Sequence, residues 1–131
     1  MRVVAVAEPN LHRRDRLARL HGIPPACCFD SWEAVFEQAR LADAVIIATP
    51  DALHSGPCLR ALDLGYDVLL EKPIAPTEAE CRAILARAQA TGRLVGVCHV
   101  LCYTPYFREI KALLDEGLIG ELISMQHLEP I

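Results

Sequence analysis

The sequence predicts an α/β fold in which a parallel sheet is flanked by helices. Two observations carry that expectation. Short apolar runs ("RVVAVAE", "DAVIIAT", "DVLL", "RLVGVCH") alternate with longer segments of helical periodicity. The run "DAVIIAT" is almost unbroken in its apolarity, which is how a strand covered on both faces by helices reads. Strand and helix in alternation favour parallel strands joined by helical crossovers.

Taken in order, "RVVAVAE" is a strand ending in an acid. "NLHRRDRLARLHG" follows as a helix, with Leu11, Leu17, Ala18 and Leu20 on one stripe and Gly22 placed to stop it. After Pro24 and Pro25, "ACCF" is a short strand. Ser31 is set to cap a helix through "WEAVFEQARL" by accepting a bond from an otherwise unpaired amide. "DAVIIAT" is the next strand, and the helix around "SGPCLRALDLG" tolerates Pro57 because it falls in the first turn. "DVLL" is a further buried strand. Thr77 and Glu80 form the T-x-x-E capping box of a helix over "EAECRAILARAQATG". The strand "RLVGVCH", the helix "TPYFREIKALLDEG" and a final run "ELISMQHLEPI" complete the order. Trp32, Phe36, Tyr106 and Phe107 fit helical spacing and read as core or interface.

Composition limits the function. At 131 residues the chain is about one domain, with 53% apolar and 23% charged residues and a formal charge of -4. Disorder and a general nucleic-acid footprint are thereby disfavoured, leaving a small molecule as the expected partner. The leading apolar run, Val3 to Ala7, is too brief for a secretory signal, and no stretch approaches membrane-spanning length. A cytoplasmic protein is expected, with no membrane partner. The six cysteines lie within apolar or helical patterns, with no export signal beside them, and are read as reduced.

In parallel sheets, ligands bind beyond the carboxyl ends of the strands. Those ends are Glu8, "ATPD" at 48 to 51, "EKP" at 71 to 73 and "CH" at 98 to 99. Cys98, His99 and Cys102 are metal-ligand types close together. A structural zinc needs four convergent ligands, however, and no second pair completes the set, so no metal is expected.

"EPNLHRRDRLARLHGIP", "ATPDALH" and "EKPI", each on a separate strand end, together resemble the Gfo/Idh/MocA oxidoreductases over essentially the whole chain. The resemblance implies an incomplete Rossmann-like sheet and an NAD(P)-dependent hydride transfer on a sugar, cyclitol or related polyol. By it, Lys72 lies near the nicotinamide and the substrate hydroxyl, where an ammonium favours developing alkoxide character. Pro73 would turn the chain through a cis bond, with Glu71 either orienting that turn or serving as a solvated loop acid. Glu8 would accept from the adenosine ribose and favour NAD over NADP, while Arg13 and Arg14 either meet the extra phosphate of NADP or line a solvated helix face. Thr49 and Pro50 would line the nicotinamide side. Asp51 stands where relatives often carry asparagine, and Cys102 where they often carry arginine, which puts both contacts in question. His54 is either a cofactor or substrate contact or an ordinary residue at a helix start; His99 and Tyr103 would face the substrate.

One expected motif is absent. No G-x-G-x-x-G turn occurs to cradle a pyrophosphate at a helix N-terminus. The expected organisation is therefore a partial dinucleotide-binding domain over 1–121, beginning at what would be its second strand, and a strand over 122–131 leading towards a domain not included. Removing a central strand leaves two unpaired edges, so a truncated chain or gene fragment, inactive alone and forming a homo-oligomer, is expected. The alternative is a non-catalytic binding or assembly module that has lost the phosphate-binding turn. A receiver-like signalling domain is disfavoured, because the acids it requires are not so arranged.

Overall fold

Five short strands and five α-helices alternate along the computed structural model, which describes residues 1–128. Strand β1 (Val6–Ala7) leads into α1 (Leu11–His21), which starts where the Asn10 side chain accepts from the Arg13 amide and stops at Gly22, with φ of 64°. A single 3-10 turn, Pro25–Cys27, precedes β2 (Cys28–Phe29). Ser31 caps α2 (Trp32–Phe36) by accepting from Ala34 N at 3.3 Å, but the helix ends five residues earlier than "WEAVFEQARL" suggests. Strand β3 (Ala44–Ile47), α3 (Ser55–Asp63), β4 (Asp67–Leu70), α4 (Glu78–Thr91) and β5 (Val95–Val97) follow. The capping box of α4 forms as expected: Glu80 N donates to Thr77 Oγ1 at 3.3 Å, and Thr77 Oγ1 donates to Glu80 Oε2 at 2.6 Å.

All strand pairs are parallel, but they form two sheets: β1 with β2, and β3–β4–β5. In the second sheet Ile46 stands opposite Leu69, and Leu69 opposite Gly96. Among the described residues β1 pairs only with β2, and β3 only with β4. This explains why "RVVAVAE" yields a two-residue strand: a central strand needs hydrogen bonds on both edges, and β1 has them on one.

The core lies between the three-stranded sheet and the helices over one face. Ile47, Val68 and Leu70 pack with Cys58, Ala61 and Leu62 of α3 and Ile84 of α4. Phe36 joins α2 to this core through a tilted ring contact with Tyr66, whose hydroxyl accepts from Leu41 N at 3.0 Å. The opposite face corrects one expectation. The pattern of "DAVIIAT" predicts cover on both sides, yet Ile46 is 56% and Leu69 41% exposed, so among the described residues the sheet is covered on one face only. A second correction concerns α1: Leu11, Leu17 and Leu20 remain exposed, and no residue of that helix is buried.

Residues Met1–Cys98 form one compact unit, and a second begins at His99. The second carries a 3-10 turn (Val100–Tyr103) and α5 (Pro105–Asp115), with Phe107 packed edge-on against Tyr106 and tilted against His127. Residues 121–128 form no strand; the remainder of the strand expected over 122–131 lies outside the described residues. No described helix is long and apolar enough to cross a membrane.

Candidate functional site

The carboxyl ends of β3 and β4 are stitched together. Glu71 N donates to Ile47 O at 2.9 Å, one step past the last registered pair, so the "EKP" turn leaves β4 directly beside the point where "ATPD" leaves β3. The next amide, Lys72 N, donates to Glu71 Oε2 at 3.2 Å. The Lys72–Pro73 bond is cis. On the far side of β4, Cys98 N donates to Leu70 O at 2.9 Å, bringing the end of β5 alongside. Burial, then the charge and hydrogen bond of the adjacent Glu71 carboxylate, push the Cys98 thiol above its ordinary value.

The β3 end folds into a 3-10 turn over Asp51–Leu53. Leu53 N donates to Pro50 O at 2.7 Å, and Thr49 Oγ1 donates to Leu53 O at 3.2 Å. Pro50, Asp51, Lys72 and Pro73 are exposed, while Thr49 and Glu71 are half-buried. The Lys72 ammonium meets no carboxylate at ion-pair distance among the described residues, so its charge faces outward uncompensated.

His54 is different in kind. It is fully buried, with Nε2 at 2.9 Å from Thr49 O and Nδ1 at 2.7 Å from Pro73 O. Both ring nitrogens are thus engaged by backbone carbonyls, and none is open to a ligand. The signal for this was present in the sequence: positions 54, 57, 58, 61 and 62 trace one helical stripe, and all five are buried.

At the end of β1, Glu8 N extends the β1–β2 ladder to Phe29 O at 3.0 Å, and Glu8 Oε1 accepts from Asn10 N at 2.8 Å. Arg14 is committed locally, donating to Glu8 O at 2.7 Å; the Arg13 side chain is exposed and enters no ion pair among the described residues. His99 and Tyr103, both exposed, belong to the second unit. Sequence reasoning missed the Glu71–Cys98 contact, because only the parallel register of β4 and β5 brings those two side chains together. A groove of about 620 Å³ runs along α1, lined by Leu11, Arg14, Ala18, Ile23 and Cys28 among others, and Arg14 ties it to the end of β1.

Comparison with known proteins places this geometry. The profile of an oxidoreductase family with an NAD-binding Rossmann fold matches residues 1–99. An inositol 2-dehydrogenase of Saccharopolyspora erythraea is 34% identical over 94% of this chain and 36% of its own length. A trans-1,2-dihydrobenzene-1,2-diol dehydrogenase of Oryctolagus cuniculus is 35% identical over 92% of the chain and 36% of its own length. A crystal structure of a 3-ketoreductase from Actinomadura kijaniata, in complex with TDP-benzene and NADP, superposes with a TM-score of 0.79 at 30% identity, covering 91% of this chain and 36% of that one. The chain thus spans about a third of the length of these relatives.

Proposed function

Because the chain belongs to the Gfo/Idh/MocA family of oxidoreductases, we propose that it supplies the nicotinamide side of an NAD(P)-dependent enzyme transferring a hydride to or from a sugar, cyclitol or related polyol. One observation carries this reading. Lys72 sits between two ties, Glu71 N to Ile47 O and His54 to Pro73 O, that hold its backbone beside the end of β3, where the loop of Thr49 and Pro50 begins. The inositol dehydrogenase and the 3-ketoreductase among its relatives support the substrate class.

The residues present fit two ends of a dinucleotide. Lys72, Thr49 and Pro50 suit the nicotinamide, and Glu8 suits an adenosine ribose, since Oε1 accepts from Asn10 while the carboxylate stays half-buried at a strand end. The pyrophosphate between them has no counterpart among the described residues, as no helix follows a glycine-rich turn. A bound nicotinamide would accept or donate the hydride. Lys72 contributes electrostatically, stabilising negative charge on the reacting oxygen as its proton departs. Asp51 adds an exposed acid in the 3-10 turn that follows β3.

Titrating NADH and NADPH into the chain, with backbone amides followed by NMR, tests the proposal. NADH shifts the signals of Glu8, Thr49 and Lys72, with NADPH weaker because Glu8 repels its added phosphate. Lys72→Ala lowers the affinity roughly tenfold, the worth of one charge-assisted hydrogen bond. Unmoved Thr49 and Lys72 signals at high cofactor concentration would overturn the reading in favour of a non-catalytic assembly module. That second reading is favoured by the one-sided pairing of β1 and β3 among the described residues.

A further inference from the structure

The backbone amides around Lys72 are accounted for one by one. Glu71 N is tied to Ile47 O, Lys72 N to the Glu71 carboxylate, and Pro73 has no N–H to satisfy. The remaining anchor is Pro73 O, and the group that holds it is not backbone but the buried His54 ring, which also holds Thr49 O. A single side chain therefore joins the two loops that carry the candidate site. It does so from the N-cap of α3, whose next residues on the same stripe, Pro57 and Cys58, are buried. A ring fixed at such a base has little freedom to follow either loop, so the loops follow the ring.

We propose that His54 is a positioning residue: by holding the carbonyls of Thr49 and Pro73 at once, it sets the separation of the two loops and thereby the aim of the Lys72 ammonium. The consequence for a ligand rests on the nicotinamide reading above, whereas the strap itself does not. Carbonyl oxygens only accept, so a ring with one N–H donates to one of the two carbonyls and a ring with two N–H groups donates to both; in either form the two contacts can be severed separately by amides of different reach. Asn places its NH2 near the position of Nδ1, on the Pro73 side. Gln places its NH2 near Nε2, on the Thr49 side.

The test is made on the cofactor-free chain by amide NMR and hydrogen exchange. His54→Gln keeps the Thr49 bond and loses the other; signals of residues 71–75 move and Lys72 N exchanges faster, while 48–50 stay in place. His54→Asn gives the mirror pattern, with 48–50 moving and 71–75 held. A residue that merely fills the core would disturb Cys58, Ala61 and Leu62 equally in both variants and show no such selectivity, which would overturn the proposal. In the wild-type chain a ring N–H of His54 exchanges slowly with solvent; fast exchange would overturn it even if both variants fail to fold. Cofactor titration is the separate arm: if the selective pattern appears and NADH does not bind, the oxidoreductase reading falls and the strap stands.

Discussion

Single residues in this chain are sorted by whether their polar atoms are already occupied. His54 and Lys72 are the two extremes, one with both nitrogens engaged in the interior and the other with its charge unpaired at the surface. The cysteines divide the same way. Burial pushes the Cys58 thiol up to about 11, so at neutral pH it is a neutral core group with almost no thiolate. Cys102, by contrast, is exposed. Under native conditions iodoacetamide is expected to label Cys102 within the first equivalents and to leave Cys58 unmodified until the chain unfolds, as read by peptide mass spectrometry. Labelling of Cys58 in the folded chain would contradict the packing described for α3.

At the scale of the element, α3 and α4 carry the stability of the three-stranded sheet. Leu62 is fully enclosed between them, and Leu62→Ala is expected to lower unfolding free energy by about 2–5 kcal/mol through lost transfer and an unfilled cavity, measured by urea denaturation. The start of α4 is set by its capping box. The Glu80 carboxyl lies below its usual range, first through the hydrogen bond from Thr77 and then through that from Ser55. A carboxylate lowered on folding stabilises above its unfolded value, and that contribution fades as pH falls through the lowered folded value. Thr77→Ala removes the cap and the main cause of the shift. It should cost about 1 kcal/mol at neutral pH, and the gap from wild type should narrow in acid; a gap that widens in acid would refute the assignment. Capping residues and glycine stops were legible in the sequence because they act within one turn. The length of α2 and the exposure of α1 were not, since both depend on what packs against them.

The whole molecule presents a parallel sheet with one bare face and a second, separate pair of strands. Ile46 and Leu69 are register partners on that bare face, and burying a side chain of their size is worth about 1.5–3 kcal/mol each. Self-association that covers them is the expected outcome. Sedimentation velocity should show species heavier than the monomer, and Ile46→Lys with Leu69→Lys should return the chain to a monomer without loss of helical signal, because neither side chain lies in the core. A strictly monomeric wild-type chain at high concentration would rule this out.

The sequence by itself determined the order of elements as far as the helix after β5, the parallel sense of the strands, the caps at Ser31 and Thr77, the stop at Gly22, and the strand ends at which the candidate site is built. These are properties of periodicity and short-range hydrogen bonding, which a linear sequence carries. Tertiary structure alone decided that the sheet divides in two, that Ile46 and Leu69 face outward, and that the buried His54 meets two carbonyls, nineteen and five residues away. Those outcomes depend on which surfaces meet in space. An apolar run reads the same whether a partner covers one of its faces or both.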